Sequence, residues 1–203
     1  MTTRPAYRVT VGSQTVDLPL VPLSDDLTVA LLICVDLGVE FAATAGRELA
    51  AELAPSSPDL VVSVATMGIP LAIEVSRALG RDDYVILHKT PKIHLGDSLA
   101  EPVLSITTGT PQKLRLDPAR ADAVRGRRVA VVDDVISTGA STGAALRLLR
   151  RVGADPVVIG TLMTEGEAWR SALGADAGLV RSLGSMPLFR RSGPDGELAP
   201  SWE

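Results

Sequence analysis

The chain has 203 residues, 46% of them hydrophobic and 22% charged, with a formal net charge of −4. That length suits one substantial α/β domain with an appendage, and that composition suits a packed core and excludes extended disorder. The acidic balance, with a pI of about 5.3, argues against a large nucleic-acid footprint, which needs a basic face; a local basic cluster is still compatible with a small anion.

In chain order, YRVTV (7–11) and QTVDLPLV (14–21) flank Gly12 and Ser13, the pattern of a β-hairpin. LTVALLICV (27–35) is a buried strand or the start of a helix, and its length does not decide which. The longest apolar run, Val29 to Val35, is far short of the roughly 20 residues of a membrane helix. Cys34, the single cysteine, sits in that run and reads as a small buried hydrophobe, not a catalytic thiol. No disulfide framework is possible within one chain, and the expected compartment is the cytoplasm. Two histidines and one cysteine are too few to suggest structural zinc. VEFAATAGRELAAELA (39–54) has helix-forming composition and stops at PSSPD.

From Asp59 strands and helices alternate. LVVSVA (60–65) reads as a strand, and IPLAIEVSRALG (69–80) as a helix with Pro70 near its start and Gly80 past its end. YVILH (84–88) is the next strand. An irregular stretch follows over 89–118, long enough to be functional, such as a lid, with room for a short ribbon of its own. RRVAVVDD (127–134) reads as a strand, STGAALRLLRRVGA (141–154) as a helix ended by Gly153, and PVVIGTLM (156–163) as a strand. This alternation implies a parallel sheet covered on both faces. The tail from Leu183 reads as one short strand followed by a turn.

The chemistry concentrates in VAVVDDVISTGAST (129–142). Ligands of open parallel sheets bind beyond the carboxyl ends of the strands, where Asp133 and Asp134 fall. Ionised carboxylates accept hydrogen bonds, so their partners there are vicinal sugar hydroxyls or waters on a divalent cation. Backbone N–H groups around Gly139 and Ala140, the hydroxyls of Ser137, Thr138, Ser141 and Thr142, and a helix N-terminus together make a phosphate cradle. The lysine of a Walker loop and the glycines of a dinucleotide fingerprint are absent.

VAVVDDVISTGAS resembles the 5-phosphoribosyl-1-pyrophosphate (PRPP) signature of the type I phosphoribosyltransferases, in particular the adenine/xanthine branch. The resemblance implies an α/β fold with a central, mostly parallel sheet and helices on both faces. It further implies a single domain with a small hood from residues of about 1–35 and 183–203, a core of about 36–182, and a flexible loop of about 89–118. In this reading Asp133 and Asp134 hold the ribose, and Ser137, Thr138, Gly139, Ala140 and Ser141 hold the 5-phosphate. SVATMGIPLA (63–72) resembles the pyrophosphate loop of that family, which often contains a strained or cis peptide. That assigns Ala65, Thr66, Met67 and Gly68 to pyrophosphate, with His88, Lys89 and Lys92 from the strand end that follows. Asp134 and Lys89 are the implied catalytic residues, and Val135 and Phe189 the implied base contacts.

The family's adenine enzymes carry a glutamate in the flexible loop, where this chain has Thr108 or Gly109; Glu101 is the nearest carboxylate. The 6-oxopurine enzymes carry a lysine or an acid near the last core strand, where this chain has Glu165 and Glu167. The implied activity is transfer of ribose 5-phosphate from PRPP to a purine-type base, with Mg²⁺ held mainly by PRPP and through Asp133 and Asp134. The implied partners are small molecules and a second copy of the chain, with no nucleic acid and no membrane. Two alternatives stay open: a PRPP-binding regulator without transferase activity, and a transferase for a non-purine heterocycle.

Overall fold

The computed structural model describes residues 5–91, 99–103, 112–192 and 197–203. Ala6–Val11 (β1) and Gln14–Pro22 (β2) pair antiparallel across the Gly12–Ser13 turn, as the alternation of side chains predicts. The apolar run that follows divides. Leu27–Ala30 (β3) pairs back onto β2, and Cys34–Leu37 forms a 3₁₀ turn. Val39–Leu53 (α1) buries Phe41, Ala42, Ala45, Leu49 and Leu53, a stripe at three- and four-residue spacing.

The alternating half then unfolds in order: Leu60–Val64 (β4), Gly68–Ala78 (α2) and Tyr84–Leu87 (β5). The long connection does carry its own ribbon, Leu99–Val103 (β6) paired antiparallel with Gln112–Leu116 (β7). Ala121–Val124 (α3), Arg128–Ile136 (β8), Ala140–Arg151 (α4), Asp155–Glu165 (β9) and Ala168–Leu173 (α5) complete the core. The tail differs from the single strand expected of it: Val180–Met186 (β10), Leu188–Ser192 (β11) and Glu197–Ser201 (β12) are all strands. β10 was illegible because it is a sheet edge with little burial, so its sequence carries no alternation of apolar and polar residues.

The central sheet has the order β10-β9-β8-β4-β5, with every pair parallel. Such pairs need crossovers, which α2 and α4 supply. Because successive strand residues face opposite sides, Val61, Ala130 and Val132 join the layer of Leu49, Leu53, Leu71 and Val75 from α1 and α2. Leu60, Val62, Val129 and Val131 join the layer of Leu146, Leu148 and Leu149 from α4. A second, antiparallel sheet runs β1-β2-β3-β11-β12. Its buried residues, Val9, Val11, Leu18, Ala30 and Phe189, share the α1–α2 layer, so the two ends of the chain close over the same side of the central sheet.

The ribbon is fastened at two places. The Glu101 carboxylate of β6 accepts from Arg147 and Arg151 of α4, at 2.9 Å each. The same arginines donate to the carbonyls of Pro102 and Ala100. On the other side, the backbones of Arg115 and His88 exchange two hydrogen bonds of 2.9 Å, joining β7 to the end of β5.

Leu53 is fully buried and lies over Gly160 of β9, where an added Cβ would meet its Cδ1 at 2.9 Å. Truncating it opens a cavity that helix and sheet cannot collapse together to fill. Leu53→Ala is expected to lower unfolding free energy by about 2–5 kcal/mol in a denaturant titration; a loss under about 1 kcal/mol would contradict this packing.

Candidate active site

Three strand ends meet at the carboxyl edge of the parallel sheet. β4 contributes Val64 and the turn Ala65–Met67, the end of β5 contributes Lys89, and β8 contributes Asp133 to Ile136 with the loop into α4. Together they line a cleft of about 210 Å³. The Ala65–Thr66 peptide in its floor is cis.

Strand lengths explain why two adjacent acids both reach this cleft. β4 pairs with β8 only as far as Ser63 opposite Val132 and then turns away. β8 continues against β9, with Asp133 opposite Thr161, Val135 opposite Met163 and Ile136 opposite Thr164. Beyond Val132 one edge of β8 is therefore free, and Asp133 and Asp134 are half-buried at that edge. Thr161, fully buried on β9, donates its hydroxyl to the Asp134 carbonyl at 2.9 Å and fixes the backbone there. Gly68 opens α2 against the acids. A Cβ on it would lie 2.3 Å from Ser63 Oγ and 2.9 Å from Asp133 Oδ1, so only hydrogen fits. Ser63 Oγ itself is buried with no hydrogen-bond partner among the described residues.

Each carboxylate accepts from the next backbone N–H: Asp134 N to Asp133 Oδ1 at 3.1 Å, Val135 N to Asp134 Oδ1 at 3.0 Å. One such bond does not replace water. Burial first, and the Asp134 charge second, push Asp133 up to about 8, against the opposing pull of Lys89. Asp134 is raised as well, by burial, and is held back by the Val135 N–H and by Lys89. The cleft thus presents two acids competing over protonation, with a lysine facing them.

The other half of the cleft is the start of α4. Gly139 precedes the helix at φ +75°, and a Cβ there would come within 3.3 Å of Trp169 Cα and of its carbonyl oxygen. The N-cap glycine offers no side chain, and the one side-chain bond at this end among the described residues is a long one, from the Ala140 N–H to Thr138 Oγ1 at 3.4 Å. The first N–H groups of the helix, with the hydroxyls of Ser137, Thr138 and Ser141, line the cleft and carry the positive end of the helix dipole. Behind them Glu165, 6% exposed at the end of β9, accepts a hydrogen bond from the Ser137 hydroxyl, and its burial raises its pKa.

The structure brings together Ala65, Thr66, Met67, Lys89, Asp133, Asp134, Val135, Ser137, Thr138, Gly139, Ala140 and Ser141 in one lining. Gly68 stands against Asp133 just behind it. His88 is outside that lining, tied by its backbone to Arg115. Phe189 is 5% exposed and packs edge-on against Tyr7, ring centroids 4.9 Å apart, in the core and not in the cleft. Lys92, Thr108 and Gly109 lie outside the described residues. Glu101 is committed to Arg147 and Arg151, and Glu167 pairs with Arg170. Cys34 is 1% exposed, and burial together with the Asp134 charge pushes its thiol up to about 11, so it stays protonated near neutrality. Sequence reasoning missed Ser63, Thr161 and Arg115, whose roles depend on cross-strand register and leave no local signal.

No set of three or more His, Cys, Asp or Glu side chains is placed to hold a metal ion among the described residues. Two carboxylates can serve a hard divalent cation only if a bound ligand and water supply most of its oxygens. Asp133 and Asp134 fit such a shared site.

A model of the phosphoribosyl transferase domain matches residues 40–176. Among curated relatives, the chain is 35% identical over 119 residues to an adenine phosphoribosyltransferase of Rhodospirillum centenum, covering 58% of this chain and 65% of that protein. It is 27% identical over 146 residues to a xanthine phosphoribosyltransferase of Laribacter hongkongensis, covering 71% and 76%. Among solved structures, an adenine phosphoribosyltransferase of Thermoanaerobacter pseudethanolicus superposes with a TM-score of 0.66 at 19% identity, over 83% of this chain and 95% of that one.

The acid pair has a consequence for stability. A carboxyl whose pKa is raised on folding stabilises the fold most below its unfolded value, about 4, and loses that contribution as pH climbs through the folded value. For Asp133 that window runs from about 4 to about 8. Asp133→Asn removes the strained charge, so the ligand-free variant is expected to melt higher than the parent at pH 9 and to show a flatter melting profile from pH 5 to 9. Parallel profiles of parent and variant would contradict the assignment.

Proposed function

The chain belongs to the phosphoribosyl transferase domain family, and we propose that it transfers ribose 5-phosphate from PRPP to a purine-type base, releasing pyrophosphate. Its fold is the type I phosphoribosyltransferase fold, as the sequence leads one to expect. One observation carries the reading: a half-buried acid pair and a helix start with a glycine N-cap lie on the same cleft, joined by a few residues of chain.

In this reading Asp133 and Asp134 accept hydrogen bonds from the ribose hydroxyls, whose donors offset the repulsion between the two carboxylates. Ser137, Thr138, Gly139, Ala140 and Ser141 cradle the 5-phosphate with N–H and O–H donors at a helix start. The turn Ala65–Gly68 and Lys89 hold the pyrophosphate. With both ends fixed, the C1–O bond to pyrophosphate breaks, pyrophosphate leaves with the electron pair, and a base nitrogen supplies the pair for the new C1–N bond as its N–H proton passes to the pyrophosphate or to water. Positive charge gathering on the ribose is stabilised by the acids beneath it, and positioning supplies much of the remainder. Asp133 and Asp134 would be the residues to hold Mg²⁺ together with the substrate, and the ion would neutralise charge on the leaving pyrophosphate. The antiparallel sheet of the chain ends serves as the hood, with Val135 on the base side. The chain is read as a cytoplasmic homodimer, which sedimentation and fractionation test.

The test is a panel of PRPP, Mg²⁺ and one base at a time, reading pyrophosphate release with adenine, guanine, hypoxanthine, xanthine, orotate and uracil. Release with a purine supports the reading. Release only with orotate or uracil moves it to a non-purine heterocycle. PRPP binding with no release from any base makes the chain a PRPP-binding regulator, and absence of PRPP binding overturns the reading. Asp134→Asn is expected to lower turnover at least roughly ten-fold with an unchanged circular dichroism spectrum, the loss of one preorganised charge contact. Unchanged turnover would remove the acid pair from the site.

A further inference from the structure

Among the described residues, Lys89 is the single cation in the cleft lining, and its charge acts on both acids. The central sheet does not hold it. β5 ends at Leu87, opposite Val64, the last residue of β4, so Lys89 lies two residues past the parallel ladder. Its backbone is held from β7 instead. Arg115 exchanges two backbone hydrogen bonds with His88. Its guanidinium Nη1 then donates to the Lys89 carbonyl at 3.1 Å and to the Lys113 carbonyl at 3.2 Å. One guanidinium nitrogen thus bridges the end of β5 and β7.

β7 is in turn fixed through its partner β6, since Glu101 binds Arg147 and Arg151 on α4. The first turn of that same helix forms the opposite wall of the cleft. A continuous run of contacts therefore leads from α4 through the ribbon and Arg115 to Lys89, and it sets the lysine against the wall that α4 builds.

We propose that Arg115 is a positioning residue that acts through Lys89, holding its backbone so that the ammonium stands opposite Asp133 and Asp134. Its kinetic consequence rests on the reading of the cleft as a PRPP site; the bond itself does not. Arg115→Met keeps an apolar stem and removes the donors, and Arg115→Lys restores one.

Two measurements decide it. In ligand-free protein, the carbonyl ¹³C resonance of Lys89 is expected to shift in Arg115→Met and to return part of the way in Arg115→Lys; an unmoved resonance overturns the proposal. In PRPP binding, Arg115→Met and Lys89→Met are each expected to weaken affinity by roughly five- to ten-fold, the scale of one lost polar contact. The double variant is expected to be no weaker than Lys89→Met alone, because both substitutions remove one interaction. Additive losses would mean that Arg115 acts on the fold and not through Lys89, and would overturn the proposal. If the parent protein binds no PRPP, the functional reading falls, and the carbonyl resonance alone decides whether Arg115 holds Lys89.

Discussion

Unequal strand ends govern this structure. β4 stops pairing at Ser63 while β8 runs on from Asp133 to Ile136 along β9. An unpaired strand edge at the end of a parallel sheet is unfavourable unless something satisfies it. Here it borders a cleft, with Asp133 and Asp134 on its open side and the loop to α4 at its tip. The tight approach of Gly68 to Asp133 depends on that offset, and from the opposite edge the Thr161 hydroxyl fixes the Asp134 carbonyl. Alternation along β8 still sends the two acids to opposite sides of the strand, and the absence of β4 beyond Ser63 leaves both beside the cleft.

The cleft is electrostatically unfinished without a ligand. Two half-buried carboxylates carry raised pKa values, and one backbone N–H apiece with a lysine nearby does not offset their burial. The helix start opposite holds N–H donors whose side-chain bonding among the described residues is limited to one long contact, Ala140 N–H to Thr138 Oγ1 at 3.4 Å. Acceptors in excess on one wall and donors in excess on the other call for a ligand carrying hydroxyls at one end and an anion at the other. A sugar phosphate has that arrangement. The strain is local, because the strands beneath, Leu60 to Val64 and Val129 to Val132, are buried throughout. A rigid core of that kind can carry a few unfavourable groups at its rim.

The core and the central motif were legible because they rest on local signals. A run of Val and Ala into two acids, then small and hydroxyl residues, defines β8, its end and the start of α4 within 14 residues, Val129 to Thr142. The helices α1, α2 and α4 announce themselves by apolar spacing and by proline or glycine at their ends. What was not legible depends on partners distant in sequence. β10 does not stand apart in a tail that reads as one short strand and a turn, because its burial is that of a sheet edge. Phe189 suggests a base contact by its place in the tail, yet register puts it opposite Thr28 and against Tyr7, inside the core. Glu101 looks like a lone surface acid until α4 supplies two arginines 46 and 50 positions away.

That last contact changes how the long connection between β5 and β8 is understood. A segment of 40 residues (88–127) crossing from one sheet strand to another is usually slack. Here both strands of its ribbon are anchored, β6 to α4 by the Glu101 pairs and β7 to the end of β5 by Arg115. Exposed ion pairs contribute little individually, but Glu101 is only 13% exposed at its side chain and binds two arginines that also grip the neighbouring carbonyls. Such a network fixes geometry more than it adds stability. The ribbon therefore links the α4 wall of the cleft to the Lys89 wall through a continuous run of contacts.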